Sequence, residues 1–295
     1  MTYVVSDIHG CDKKYFRLLE MLHFSDNDTL YILGDVTDRG SGGLRVLLDA
    51  ASRQNVILLR GNHEQAALEF LPRDPDNEAT PARLFARWYE WMEDGGDRTY
   101  RAFWNRSEAV RARVLRILGS LPIYAEVQAG GRSFFLAHTV PGKRKMRHPE
   151  SCRICDFLTG EPEYELRYDP DRIIVTGHTV TSLIDKASRG RIWRGNGHIA
   201  IDCGAVYSGV LGCLCLDRLL RRIGGISMEL EKKYVPVTVH FDANGKMRPI
   251  EIEFDEMRRY HIDKILDVRR AACQSVGGVG PACSFPILKI QHKKL

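Results

Sequence analysis

The heptapeptide Gly34-Asp35-Val36-Thr37-Asp38-Arg39-Gly40 constrains this chain more than any other stretch. It follows the apolar run Thr29 to Leu33, which reads as a short buried strand. A glycine at each end lets the backbone turn sharply off that strand and pass close to a bound group. Between the glycines stand two carboxylates and a guanidinium. Asp35 can bridge two cations, and the planar fork of Arg39 can grip a phosphate.

Two more segments have the same design. Thr2 to Ser6 reads as a strand that ends at Asp7-Ile8-His9-Gly10, and Val56 to Leu59 as one that ends at Arg60-Gly61-Asn62-His63-Glu64. Between them, Asp12 is placed to cap a helix whose apolar face is Tyr15, Leu18, Leu19 and Leu22. A second helix covers about Gly43 to Ala51. Three strand–turn–helix units thus put polar residues just past strand carboxyl ends, the edge where open α/β sheets bind ligands.

The stretch from Glu64 to Leu121 reads as a helical layer, broken by the Pro- and Asp-rich segment Pro72 to Pro81. Phe85, Trp88, Trp91 and Met92 form an apolar stripe that reads as core, and Gly95-Gly96 reads as a helix stop. A further helix is expected over about Glu108 to Leu118. Strands follow at Ile123 to Val127, Ser133 to His138, Arg172 to Thr176, Arg191 to Arg194, His198 to Asp202 and Leu211 to Leu216. A composition change near Lys232 divides a domain 1–231 from a small strand-rich segment 232–295. That segment holds a hairpin about Asp242-Ala243-Asn244-Gly245, a Gly-rich run Val276 to Pro281 and a basic tail that reads as disordered.

The net charge of +5 over 295 residues is too mild to point to nucleic acid without a clustered basic face. No apolar run approaches the ~20 residues of a membrane span, and no signal peptide is visible. The eight scattered cysteines read as reduced thiols of a cytoplasmic protein.

Asp7, His9, Asp35, Asn62, His138 and His178 all fall just after expected strands, and each is a hard or borderline metal ligand. One histidine at a strand end is ordinarily a hydrogen-bonded structural residue; six such groups together form a constellation. Two divalent ions would meet only two anionic ligands here, Asp7 and Asp35, plus a hydroxide. A site that stays net positive suits a phosphate dianion and the clamping chemistry of a two-metal centre.

These motifs, in this order and spacing, resemble the phosphoprotein phosphatase branch of the calcineurin-like metallophosphoesterases, over about Met1 to Asp217. The resemblance implies an α/β fold of two packed mixed β-sheets flanked by helices. It implies that Asp7, His9 and Asp35 hold one metal and that Asp35, Asn62, His138 and His178 hold a second. Manganese is the expected assay metal, with iron or zinc as native alternatives. Arg39 would bind phosphate, and His63, oriented by Asp38, would protonate the leaving oxygen. A metal-bridging hydroxide would attack phosphorus directly. Asn62 and Tyr207 are further candidates for substrate contact, and Arg60 and Glu64 read as structural.

One departure stands out. Related bacterial chains carry a second phosphate-binding arginine between the two late histidines, where Glu161 stands in this sequence. Arg153, Arg167 and Arg172 are the possible substitutes. Other signals carry less: Cys152-Arg153-Ile154-Cys155 with His148 is half of a zinc site, and Lys143 to Arg147 is a basic loop that could attract acidic phosphopeptides. The expected activity is metal-dependent phosphomonoester hydrolysis on a phosphoprotein or phosphopeptide. The alternatives are a dinucleoside polyphosphate hydrolase and a non-catalytic binding protein with a degenerate site.

Overall fold

The computed structural model describes residues 1–73, 82–218 and the strands 237–241, 247–255, 258–272 and 284–294. The expected boundary near Lys232, the turn Asp242 to Gly245, the run Val276 to Pro281 and most of Pro72 to Pro81 lie outside these residues. The chain divides into two compact units, Met1–Leu219 and Leu220–Leu295.

In the first unit, β1 (Thr2–Val5), β2 (Thr29–Ile32) and β3 (Val56–Leu58) are parallel and joined by α1 (Asp12–Leu22) and α2 (Gly43–Ala50). A second sheet contains β4 (Tyr124–Ala129), β5 (Arg132–Ala137), β6 (Arg172–Thr176), β7 (Trp193–Gly195) and β8 (His198–Ala200), in the order β4-β5-β6-β8-β7. β9 (Cys213–Cys215) returns antiparallel to β1 and completes the first sheet as β3-β2-β1-β9. Both sheets mix parallel and antiparallel pairs.

Strand alternation builds the layers, because successive side chains point to opposite faces. Val5, Leu30, Ile32, Val56 and Leu58 turn to a helical layer. Val4 and Leu214, with Leu33 and Leu59 just past β2 and β3, turn the other way and pack on Phe134, Leu136, Val175 and Ile199 of the second sheet. Phe135, Ala137 and Ile174 on the outer face of that sheet cover Phe157 of α7 (Ile154–Leu158). Each such buried side chain contributes roughly 1.5–3 kcal/mol.

The helical layer comprises α3 (Asn62–Phe70), α4 (Ala82–Trp91), α5 (Asp97–Trp104) and α6 (Glu108–Ser120). Gly95 does not end the layer. Asp94 and Gly95 leave helical geometry, the chain kinks over Met92–Gly96, and α5 resumes at once. Trp91 is buried as the stripe requires, but Phe85 is half exposed. Asp12 does not cap α1: Cys11 precedes the helix without a side-chain bond, and the Asp12 carboxylate accepts from Arg45 of α2 instead.

The second unit is a four-stranded antiparallel sheet, β10 (Val237–Phe241), β11 (Met247–Asp255), β12 (Arg258–Ala272) and β13 (Ser284–Lys294). The basic tail is not a disordered end: Lys293 and Lys294 pair with His261 and Tyr260 of the long strand β12.

Among the described residues, no helix is long and apolar enough to cross a membrane.

Candidate metal and phosphate site

The functional side chains sit on turns that leave β1, β2, β3, β5 and β6. Asp7, His9, Asp35, Asp38, Arg39 and His178 all have φ between 43° and 66°. Side chains other than glycine rarely adopt this left-handed region, and each such residue costs about 1–3 kcal/mol. The turns hold one another there: His9 N–H donates to Asp35 O at 2.8 Å, Gly10 N–H to Val36 O at 2.9 Å, and Arg39 N–H to Gly95 O at 3.1 Å. Glu64, fully buried, accepts from the backbone N–H of Asp35, Val36, Thr37 and Gly61 and from the Thr37 hydroxyl, at 2.6–3.1 Å. Its carboxylate is the internal frame of the Asp35 loop. Arg60 braces the neighbouring turn by donating to Gly119 O and Gln65 Oε1.

Gly177 shows how closely the two sheets approach. A Cβ there would lie 1.9 Å from Ser6 Oγ and 2.1 Å from Asp7 Oδ2, so no larger residue fits. The closeness lets His178 N–H donate to Asp7 Oδ2 at 3.0 Å.

His138 Nδ1 is 2.9 Å from Leu33 O, which assigns its proton there and leaves the Nε2 lone pair free. That Nε2 lies 2.8 Å from Asn62 Oδ1, 3.0 Å from His178 Nδ1 and 3.4 Å from Asp35 Oδ2. His9 Nδ1 pairs with Thr37 O, so its Nε2 is likewise an acceptor, 3.7 Å from Asp35 Oδ2 and 4.0 Å from Asp7 Oδ1. Lone pairs gathered at such distances repel unless a cation lies among them. The donor set therefore fits divalent metals, with Asp35 common to two groups.

Burial is the main cause of the protonation pattern. It lowers His9 to about 2 and His178 to about 3, so both rings are neutral, the form that binds metals. It raises Asp7 to about 6 and Asp35 to about 7, so protons compete for these carboxylates until a dication displaces them.

His63 also lies near His9 and Asp35, with Nε2 3.8 Å from Asp35 Oδ2. It differs from the ligands in charge. Burial lowers its pKa, but the Asp35 and Asp38 carboxylates outweigh burial and raise it to about 9. Its Nδ1 is 2.6 Å from Asp38 Oδ2. A ring that stays protonated is a donor and a poor ligand, whereas Asn62 Oδ1, 2.8 Å from His138 Nε2, is an acceptor among the candidate ligand atoms. Arg39 lies between His9 and His63. Its Nη1 is 2.8 Å from His9 Nε2, its Nη2 is 3.2 Å from His63 Nε2, and it pairs with Asp94 at 3.0 Å.

Four supporting residues were not legible as site residues. Trp91 Nε1 donates to Asp38 Oδ2 at 2.7 Å, and Asp38 N–H donates to Thr99 Oγ1 at 2.9 Å. Asp94 holds Arg39 from the kink. Asp202, just past β8, is buried, and burial together with the nearby Asp7 charge raises it to about 8. Tyr207 is 66% exposed, with its ring centre 5.6 Å from the Arg39 guanidinium.

Each of the three arginines suggested for the second phosphate contact has another partner. Arg153 pairs with Asp156, Arg172 with Asp169 and Glu126, and Arg167 donates to Asp169 O and Pro170 O. Glu161 is exposed. The thiol of Cys152 contacts the Lys145 and His148 carbonyls, and no ligand group forms at Cys152, Cys155 and His148 among the described residues. Lys145 of the basic loop is paired with Asp156.

The sequence model of the calcineurin-like phosphoesterase family matches residues 2–182, more than half the chain. The chain belongs to that family. As a calcineurin-like phosphoesterase it has the fold described above. It is 42% identical over 65 residues to the symmetrical bis(5'-nucleosyl)-tetraphosphatases of Salmonella paratyphi B and Salmonella typhimurium. The match covers 21% of this chain and 23% of theirs, so the chain spans about a quarter of the length of these curated relatives. Matches among solved structures include a protein serine/threonine phosphatase from Saccharomyces cerevisiae, with 15% identity, 68% and 65% coverage of the two chains and a TM-score of 0.41. A cold-active protein tyrosine phosphatase has 16% identity, 85% and 78% coverage and a TM-score of 0.43.

Proposed function

We propose that this phosphoesterase hydrolyses phosphomonoesters of alcohols, with phosphoserine and phosphothreonine in proteins as its substrate class. The observation that carries this reading is the buried donor His63–Asp38–Trp91. An alkoxide leaves phosphorus only with a proton, and an imidazolium aimed by a carboxylate supplies one. A phosphoanhydride, whose leaving group is itself a stable anion, has far less need of such an acid.

Asp7, His9 and Asp35 would hold one divalent cation, and Asp35, Asn62, His138 and His178 a second. When bound, such ions supply positive charge to the phosphoryl oxygens and acidify a water. Arg39 binds phosphate oxygens with the edge of its guanidinium and orients the ester. His63 Nε2 donates its proton to the departing oxygen, while Asp38 holds Nδ1 and stabilises the ring's charge. Glu64 keeps the Asp35 loop in its strained shape. No cysteine or serine nucleophile enters this scheme, so water attacks phosphorus directly and no phosphoenzyme forms.

The test is turnover of a phosphoserine peptide and of p-nitrophenyl phosphate with manganese. Retention of wild-type peptide activity in His63→Asn or Asn62→Ala would contradict the roles given. The second reading, a dinucleoside polyphosphate hydrolase, is favoured by the names of the curated relatives. A diadenosine tetraphosphate rate well above the phosphopeptide rate would establish it instead. The complete ligand set opposes a degenerate binding protein.

A further inference from the structure

Beside the phosphate site, a cleft of about 400 Å³ opens between α8 (Thr181–Ile184) with the turn after it and the segment 203–208. Its size falls in the range of ligand pockets, about 300–1,000 Å³. Tyr207 forms part of its wall and also lies 5.6 Å from the Arg39 guanidinium, so the cleft and the phosphate site are neighbours. Lys186 and Arg189 line it, and no carboxylate does.

Among the described residues, neither cation makes a side-chain hydrogen bond or ion pair. Other cations close by are already engaged: Lys14 donates to Ala205 O at 2.7 Å, and Arg39 pairs with Asp94. The nearest acid in sequence, Asp185, folds back on Ala187 N and Ser188 Oγ. Two uncompensated positive charges therefore face one cleft.

Exposed apolar residues flank the lining: Leu183 and Val206 adjoin Ser182 and Tyr207 in sequence, and they, Tyr207 and Val210 are 79%, 39%, 66% and 41% exposed. Val210 closes against Gly190 of the lining, where a Cβ would come 3.5 Å from its Cγ2. Exposed apolar side chains gathered on one feature mark an interaction surface. A polypeptide substrate has acidic side chains for the two cations and apolar ones for the exposed residues beside them, and comparison with diadenosine tetraphosphate separates it from a nucleotide.

We propose that this cleft is a substrate subsite in which Lys186 and Arg189 receive an acidic side chain close in sequence to the phosphorylated residue. An extended peptide spans about 3.3–3.6 Å per residue, so an acid one to three positions from the phosphoserine can reach across Tyr207. The subsite rests on the phosphoprotein reading above and deepens it from phosphomonoester to acidic phosphoprotein. It also moves the expected attraction for acidic peptides from the Lys143 to Arg147 loop to this cleft.

The experiment uses two phosphoserine peptides that differ only in flanking Glu or Gln residues, with manganese. Wild-type enzyme should show kcat/KM roughly five- to tenfold higher for the Glu peptide at low salt, as two partly exposed ion pairs allow, and the preference should fade at high salt. In Lys186→Glu/Arg189→Glu the preference should reverse while p-nitrophenyl phosphate turnover stays unchanged. Equal wild-type rates on both peptides would overturn the subsite. So would a variant that loses p-nitrophenyl phosphate turnover in the same proportion, or one that loses diadenosine tetraphosphate turnover and treats both peptides alike. If wild-type enzyme turns over no phosphate ester, the phosphoesterase reading fails. The subsite is then decided by fluorescence anisotropy with the unphosphorylated Glu and Gln peptides, where equal affinity overturns it.

Discussion

Replacing Asp38 with asparagine isolates the proton donor from the rest of the site. Asp38 is fully buried, and its Oδ2 is shared by His63 Nδ1 at 2.6 Å and Trp91 Nε1 at 2.7 Å. Asparagine keeps the shape and an acceptor for Trp91 but removes the charge. His63 stands at about 9 because the Asp35 and Asp38 carboxylates overcome burial. Without Asp38, burial gains and the ring falls to its ordinary value of about 6.5 or lower. For the metal-free site the protonated fraction at pH 8 would drop from about nine-tenths to about 3%, which makes roughly 30-fold the upper limit of the loss from protonation alone. Cations at Asp35 share its charge and lower the starting value. The Asp38 contribution is still the one removed, so the direction stands. The assay is kcat/KM against pH for a phosphoserine peptide and for p-nitrophenyl phosphate. The basic limb for the peptide should move to lower pH in the variant. The aryl ester, whose leaving group is a weak base, should lose much less. An unmoved limb, or equal losses on the two substrates, would refute the donor role.

Further tests address the frame and the metals. Glu64→Gln would turn an amide N–H₂ toward buried donors and should cost about 3–5 kcal/mol in urea unfolding, along with most metal affinity. Gly95 has φ +92°, and a Cβ there would lie 2.5 Å from Arg39 N, so Gly95→Ala should displace Arg39 and raise KM severalfold, read by steady-state kinetics. Trp91→Phe removes a hydrogen bond to a charged group and should cost about 1.5–3 kcal/mol, again by urea unfolding. Metal binding should release protons at pH 6, where Asp7 and Asp35 still hold them, and few at pH 8. Calorimetry in buffers of different ionisation enthalpy measures this, and equal release at both values would contradict the raised carboxylates.

The strand tips were legible because apolar runs of four or five residues ending in Asp, His or Asn announce both a strand and its carboxyl end. What supports those tips was not. Trp91 sits in a stripe whose spacing reads as core, and it is core; only the fold shows that its indole edge reaches Asp38. Gly95-Gly96 read as a stop because a Gly pair breaks helices. Here the break lets the backbone dock on Arg39. Asp202 carried no signal beyond ending a strand, since burial beside Asp7 depends on how the two sheets approach. Lys186 and Arg189 belong to a short irregular stretch with no periodicity, so their shared cleft appears only in three dimensions.

The approach of the sheets at Gly177 has a mechanical consequence. Asp35 and Asn62 ride on one sheet, His138 and His178 on the other, and their lone pairs meet across the seam. Bare, those atoms push the layers apart; clasped around a dication, they become a rivet. A chelator should therefore loosen the molecule along this seam first, with amide hydrogens of β5 and β6 exchanging sooner than those of α1.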